Sequence, residues 1–137
     1  MSGPRSAIVV DDDAITLVVM ARMLEEEGFE VQSAASATAA LRLMKTRACD
    51  LIAADHQMLP ITGLDFWTFL RTSKKAPHAR TPFILITSPD RHAHLSATHP
   101  ELPVVLRKPF NGEMLRRAIR DAQDARQGPA GARAAPP

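Results

Sequence analysis

Four short runs, almost wholly apolar, constrain this chain most. They are Ala7-Ile8-Val9-Val10, Leu51-Ile52-Ala53-Ala54, Phe83-Ile84-Leu85-Ile86 and Val104-Val105-Leu106-Arg107. A strand apolar on both faces belongs in a sheet covered on both sides. That means parallel strands joined by helical crossovers. Each run is followed by polar groups: Asp11-Asp12-Asp13, Asp55, Thr87 and Lys108, in chain order. In an open parallel sheet, ligands bind outside the C-terminal ends of the strands. Three adjacent carboxylates there repel one another unless a divalent cation sits among them. An acidic pair, a lone aspartate, a hydroxyl and a lysine on one edge are what phosphoryl transfer to a carboxylate requires.

Strand and helix patterns alternate along the rest of the chain. Strands are expected over 7–10, 29–33, 50–54, 81–86 and 103–107. Helices are expected over 14–27, 37–47, 63–73, 90–98 and from 112 onward. Gly28 ends the first helix in a left-handed cap, and Ser36 and Asn111 cap the second and last. Leu64, Trp67 and Leu70 share one face of the third helix, as Leu115, Ala118, Ile119 and Ala122 do in the last. Pro82 opens the fourth strand, where proline is tolerated. Pro100 stops the short fourth helix. From Gly128 the sequence Gly-Pro-Ala-Gly-Ala-Arg-Ala-Ala-Pro-Pro cannot bury a useful apolar face. The expected organisation is therefore one domain over 1–127 and a disordered tail over 128–137.

Length and composition agree. The chain has 137 residues, enough for one core. No apolar stretch reaches membrane-spanning length, so no membrane partner is expected. No apolar signal segment precedes the first strand, and Cys49 is the only cysteine. A reducing cytoplasm fits, with Cys49 a small core residue. Net charge is +2. The basic residues are dispersed, with a pair at Lys74-Lys75 and a set at Arg116, Arg117, Arg120 and Arg126 that Asp121 and Asp124 interrupt. There is no tyrosine, and the remaining aromatics look buried by pattern, so nucleic acid is not expected as a partner. His92, His94 and His99 could suggest a metal site, but a solvated segment is the simpler reading. Helix one carries Leu17, Val18 and Ala21 opposite Val19, Met20, Met23 and Leu24, and the former set reads as a docking surface.

Each polar group also has a plainer reading. Asp13 before Ala14-Ile15 can simply cap the first helix. Asp55 alone could be a turn residue, and Lys108 a solvated loop lysine. Together, the groups closely resemble the receiver domain of bacterial two-component response regulators, over about residues 6–126. Asp11 and Asp12 match that family's acidic pair, and Asp55 its phosphoacceptor. Met58 and Gly63 match the methionine and glycine of the following loop. Thr87 matches the hydroxyl position, and Lys108-Pro109-Phe110 the lysine motif, whose lysine–proline bond is usually cis.

The resemblance implies a flavodoxin-like doubly wound fold. Its five parallel strands run in the order 2-1-3-4-5, known for this family, with helices on both faces. It implies Mg²⁺ held by Asp12 directly, Asp11 through water, Asp55, and the backbone carbonyl of Gln57. Thr87 and Lys108 are implied as contacts to phosphoryl oxygens. Partners implied are a histidine kinase or histidine phosphotransfer protein and an unidentified downstream protein, with a homodimer left open. The expected function is that of a stand-alone phosphoacceptor rather than an enzyme. It would signal or relay phosphate through protein contacts, without an output domain. The alternative is a degenerate receiver that only binds partners. A phosphatase with an aspartate nucleophile would normally place a second aspartate where Gln57 stands. A nucleotide-binding module would need a glycine-rich loop after strand one.

Three departures from the family bear on mechanism. Leu59 separates Met58 from Pro60, so the loop after Asp55 is expected to take a different path. Val105 stands where the family usually has an aromatic switch residue. The fourth-helix segment, rich in proline and histidine, is expected to be short or mobile.

Overall fold

The computed structural model describes residues 5–73, 80–99 and 101–127. The expectations for Lys74-Lys75, Pro100 and the 128–137 tail lie outside the described residues, as does the side chain of Arg126. Five strands and five helices alternate. They are β1 (Arg5–Val10), α1 (Ala14–Glu26), β2 (Phe29–Ala34), α2 (Ala37–Thr46), β3 (Leu51–Asp55), α3 (Gly63–Thr72), β4 (Phe83–Thr87), α4 (Pro89–Thr98), β5 (Val104–Arg107) and α5 (Gly112–Gln127). The sheet runs β2-β1-β3-β4-β5 with every pair parallel, as expected.

The pleat splits each central strand between two cores. Ile8, Val10, Ile52, Ala54 and Leu85 face Ala37, Ala40 and Met44 of α2, Leu64, Phe66 and Leu70 of α3, and Leu95 of α4. Ala7, Val9, Leu51, Ala53, Ile84 and Ile86 face Met20 and Leu24 of α1 and the α5 stripe Leu115, Ala118, Ile119 and Ala122. Each large aliphatic side chain fully buried this way contributes roughly 1.5–3 kcal/mol. Both faces must stay covered, which explains the unbroken apolar runs at 7–10 in β1, 51–54 in β3 and 83–86 in β4.

The caps are as the sequence suggests. Ser36 Oγ accepts the Ala39 N–H at 3.1 Å, and Asn111 Oδ1 accepts the Met114 N–H at 2.9 Å. Gly28 takes φ +96°, the left-handed region open to glycine. α4 starts one residue earlier than expected. Pro89 occupies its first turn, where a missing N–H costs nothing, and Ser88 Oγ accepts the Arg91 N–H at 3.3 Å. Leu95 is the single buried residue of α4, so this helix is weakly anchored.

Two surface expectations need correction. Leu17 and Ala21 pack against the α1/α5 core, whereas Val19 is 50% exposed. The exposed stripe of α1 is Ile15 (74% exposed), Val18 (61%) and Val19, at helical spacing. Not all aromatics are buried either, since Phe69 on α3 is 53% exposed. Cys49 is half-buried, its Sγ donating to the Leu51 carbonyl at 3.0 Å, and burial pushes its thiol up to about 11. No helix among the described residues is long and apolar enough to cross a membrane.

Candidate functional site

Parallel pairing puts the ends of β1, β3, β4 and β5 on one edge. Val10 lies beside Ala54, Asp55 beside Ile86, and Thr87 beside Arg107. Asp11, Asp55, Thr87 and Lys108 therefore emerge together. Asp11, Asp55 and Thr87 are buried, while the Lys108 side chain is 42% exposed.

Asp55 is held by one restraint on each oxygen. Lys108 Nζ donates to Oδ1 at 2.8 Å, and the Gln57 N–H donates to Oδ2 at 2.8 Å. The Lys108 N–H donates to the Thr87 carbonyl at 2.8 Å, and the Lys108–Pro109 bond is cis, as the family resemblance implies. A second cis bond, Leu59–Pro60, lies in the loop after Asp55, where the sequence departs from the family. Leu59 there is 80% exposed.

The three aspartates after β1 differ in setting. Asp11 continues the strand, its N–H donating to the Ala34 carbonyl at 3.1 Å. Its Oδ1 accepts the Asp13 N–H at 2.9 Å, while Oδ2 is buried with no hydrogen-bond partner among the described residues. Burial raises the Asp11 pKa above its ordinary value. The Asp13 N–H opposes this, as Lys108 does more weakly, and the charges of Asp55 and Asp12 add to the rise. Asp12 is exposed. Asp13 is the N-cap of α1: its carboxylate accepts the Thr16 N–H at 2.9 Å and a short bond from the Thr16 hydroxyl. Those two bonds lower its pKa. The plainer reading of Asp13 as a cap is therefore the one that applies.

Two buried oxygens in the site are unpartnered, Asp11 Oδ2 and Thr87 Oγ1. Buried polar atoms are rarely left so, and each keeps an unused hydrogen-bonding capacity for an incoming group. A hard cation fits the donor chemistry beside Asp11, which is all oxygen. Among the described residues no three acidic, histidine or cysteine side chains gather closely enough to hold a metal by themselves. Mg²⁺ does not need them, because it is commonly held by one or two carboxylates and keeps several waters. Of the fourth-helix histidines, His94 and His99 are exposed and His92 is half-buried. His92 meets Ser96 Oγ at 3.4 Å and His99 meets Thr98 Oγ1 at 2.8 Å.

Behind Asp55, Met58 is buried and Gly63 opens α3. A Cβ on Gly63 would stand 2.4 Å from the Asp55 carbonyl oxygen, so only glycine lets α3 come this close. His56 follows Asp55 directly. It is buried, and its backbone bonds reach Ile86, Met58 and Gly63. Burial lowers its pKa, Arg91 adding to the effect and Asp55 opposing it. No local sequence pattern announces this role, because the groups it binds come from separate elements. Val105, in the aromatic-switch position, is half-buried against the α2–α4 core.

The sequence profile described as the response regulator receiver domain matches residues 7–120. Among curated proteins, the transcriptional regulatory protein GlrR of Escherichia coli (strain K12) is 30% identical over 123 residues, covering 87% of this chain and 26% of that protein. The transcriptional regulatory protein YvrH of Bacillus subtilis (strain 168) is 34% identical over 73 residues, 53% of this chain and 31% of that protein. The chain thus spans only about a quarter to a third of these relatives' length. Among solved structures, a response regulator receiver domain protein from Clostridium thermocellum is 27% identical with a TM-score of 0.71, covering 90% of this chain and 97% of that one. The receiver domain of sensor histidine kinase PA1611 from Pseudomonas aeruginosa PAO1, solved with magnesium coordinated in its active site cleft, shares the fold. Its TM-score is 0.72 at 23% identity, over 90% of this chain and 100% of that one.

Proposed function

The chain belongs to the response regulator receiver domain family of two-component systems, and from that premise we propose that it accepts a phosphoryl group on Asp55 from a phosphohistidine donor, with Mg²⁺ at the acidic edge. One observation carries the reading. The Asp55–Lys108 pair stands in a site that also holds two buried, unpartnered oxygens, Asp11 Oδ2 and Thr87 Oγ1. A purely structural ion pair would need neither.

Asp12, Asp55 and the Gln57 carbonyl would hold the cation, with Asp11 acting through water. When bound, Mg²⁺ draws charge off the phosphoryl oxygens, which lets a carboxylate approach phosphorus. The Gln57 N–H and Lys108 Nζ fix the plane of the Asp55 carboxylate before reaction. One Asp55 oxygen forms a bond to phosphorus as the P–N bond to the donor imidazole breaks, and the imidazole leaves with that electron pair. Lys108 then follows the negative charge to a phosphoryl oxygen as a point charge. The free Thr87 hydroxyl donates to another. The product is an acyl phosphate on Asp55.

The donor must bring its imidazole to this edge. Ile15, Val18 and Val19 on α1, with Leu59 on the loop after Asp55, give it an apolar surface to rest on. A downstream protein would read the phosphorylated state through contacts of this domain, and we assign the exchange to the cytoplasm. Incubation with acetyl phosphate should add one phosphoryl group to the intact mass with Mg²⁺ present and none with chelator. No gain under either condition would favour the degenerate receiver.

A further inference from the structure

A helix leaves its first four backbone N–H groups, that of the N-cap included, without intrahelical acceptors. In α3 the N-cap is Thr62, and the bond from the Phe66 N–H to the Thr62 carbonyl at 3.0 Å is the first of the helical ladder. Asp65 donates locally to Thr62 Oγ1 at 3.1 Å. Gly63 and Leu64 turn instead to one residue outside the helix, His56. Gly63 donates to the His56 carbonyl at 3.1 Å, and Leu64 to His56 Nδ1 at 3.4 Å. The Nδ1 contact is the longest of these and the only one accepted by a side chain from beyond the helix and its cap. His56 also donates its N–H to the Ile86 carbonyl at 2.8 Å and accepts the Met58 N–H at 2.9 Å. The residue directly after Asp55 thus joins β3 to β4, to the following loop and to the start of α3.

We propose that His56 is a positioning residue for the phosphoacceptor, its Nδ1 lone pair serving as a cap for α3 supplied by the residue that follows β3. This rests on the reading of Asp55 as the acceptor. The capped turn sits on the Asp55 carbonyl through Gly63. The loop between His56 and Gly63 begins with Gln57, whose N–H orients Asp55 Oδ2. If the Leu64 N–H loses its acceptor, the turn lifts and Gln57 moves with it. The role requires a bare Nδ1, so the ring proton resides on Nε2. Other amino acids can supply that lone pair. Asparagine places an acceptor oxygen near the Nδ1 position, whereas glutamine reaches toward Nε2.

The test uses the full chain with His56→Asn, His56→Gln and His56→Leu. Two readouts are taken: exchange of the Leu64 amide by nuclear magnetic resonance, and the initial rate of labelling by acetyl phosphate with Mg²⁺. Leaving a buried donor unpaired should speed Leu64 exchange about tenfold or more in the Leu and Gln variants. The Asn variant should stay within about twofold of the parent, and labelling rates should follow the same order. If the imidazole only fills space, His56→Leu keeps Leu64 protected and His56→Asn is the worst of the three, which overturns the proposal. Equal exchange in Asn and Gln variants overturns it too. Leu64 exchange does not depend on phosphorylation. A parent that is never labelled therefore counts against Asp55 as acceptor while the capping role is still decided.

Discussion

Replacing Gly63 with alanine should injure both the fold and the site, and the structure sets the scale. The added Cβ would lie 2.4 Å from the Asp55 carbonyl oxygen, 2.8 Å from Leu85 Cδ1 and 2.9 Å from the Asp55 carbonyl carbon. Two of these are backbone atoms of β3, which is buried on both faces and cannot give way. α3 must retreat instead. Restoring an ordinary contact of 3.4 Å takes a shift of about 1 Å. Overpacking of this kind costs about 1–3 kcal/mol. Gly63 stands at the first helical position, where alanine's interior helix propensity gives little back, so the net loss should be about 1–3 kcal/mol. Labelling should suffer more, because a 1 Å misplacement near a reacting group can cost about a hundredfold. Gly112→Ala is the matched control at the start of α5. Its Cβ would meet only Arg116 Nη1 at 3.3 Å, the far end of a flexible side chain. It should stay within about 0.5 kcal/mol of the parent. Urea titrations followed by the single tryptophan, Trp67, give the stabilities, and acetyl phosphate labelling gives the rates. If Gly63→Ala unfolds and labels like Gly112→Ala, the close approach of α3 to Asp55 is not what the structure says it is.

The three aspartates should separate by role. Asp12→Ala should abolish the Mg²⁺ response, whereas Asp13→Ala should keep it and lose about 1 kcal/mol of stability as the α1 cap goes; a titration in which both variants bind Mg²⁺ like the parent would refute the ligand role. Asp11 should shape the pH dependence of the metal-free protein. Its folded pKa is raised above 3.8, so the folded state holds the proton more tightly than the unfolded chain does. Its contribution to stability is full below 3.8 and is lost as pH rises through the folded value. Melting curves in chelator should fall more steeply with pH for the parent than for Asp11→Asn over that window, and parallel curves would contradict the assignment. On α1, Ile15→Glu with Val18→Lys should slow phosphotransfer from the cognate kinase and leave labelling by a small donor intact. An equal loss by both routes would make the pair structural, and no loss would remove α1 from the docking surface.

Legibility in the sequence followed how local each constraint is. The central strands could be read directly, because burial on both faces forces unbroken apolar runs closed by the groups that form the site. The caps at Ser36, Asn111 and Gly28 were legible because capping acts within a few residues. The face of α1 was not. Leu17, Val18, Val19, Met20 and Ala21 are five apolar residues in a row, which leaves the helical phase open, and only packing against the core on this face of the sheet chose Leu17 and Ala21 over Val19. Likewise, Asp11, Asp12 and Asp13 are chemically identical in sequence. Their burial, exposure and capping differ because β1 ends and α1 begins between them. The His56–Leu64 bond was hidden because it joins the end of one element to the start of another across a loop. The cis Leu59–Pro60 bond was hidden because an X-Pro pair does not declare its isomer.

Locating the phosphoryl group tests the central claim most directly. After reaction with acetyl phosphate and Mg²⁺, borohydride reduces an aspartyl phosphate to homoserine, and peptide mass mapping then reads which residue changed. Conversion is expected at Asp55 alone in the parent, and at no residue in Asp55→Asn or in the chelated protein. Conversion of Asp11, Asp12 or Asp13 in the parent, with Asp55 untouched, would contradict it.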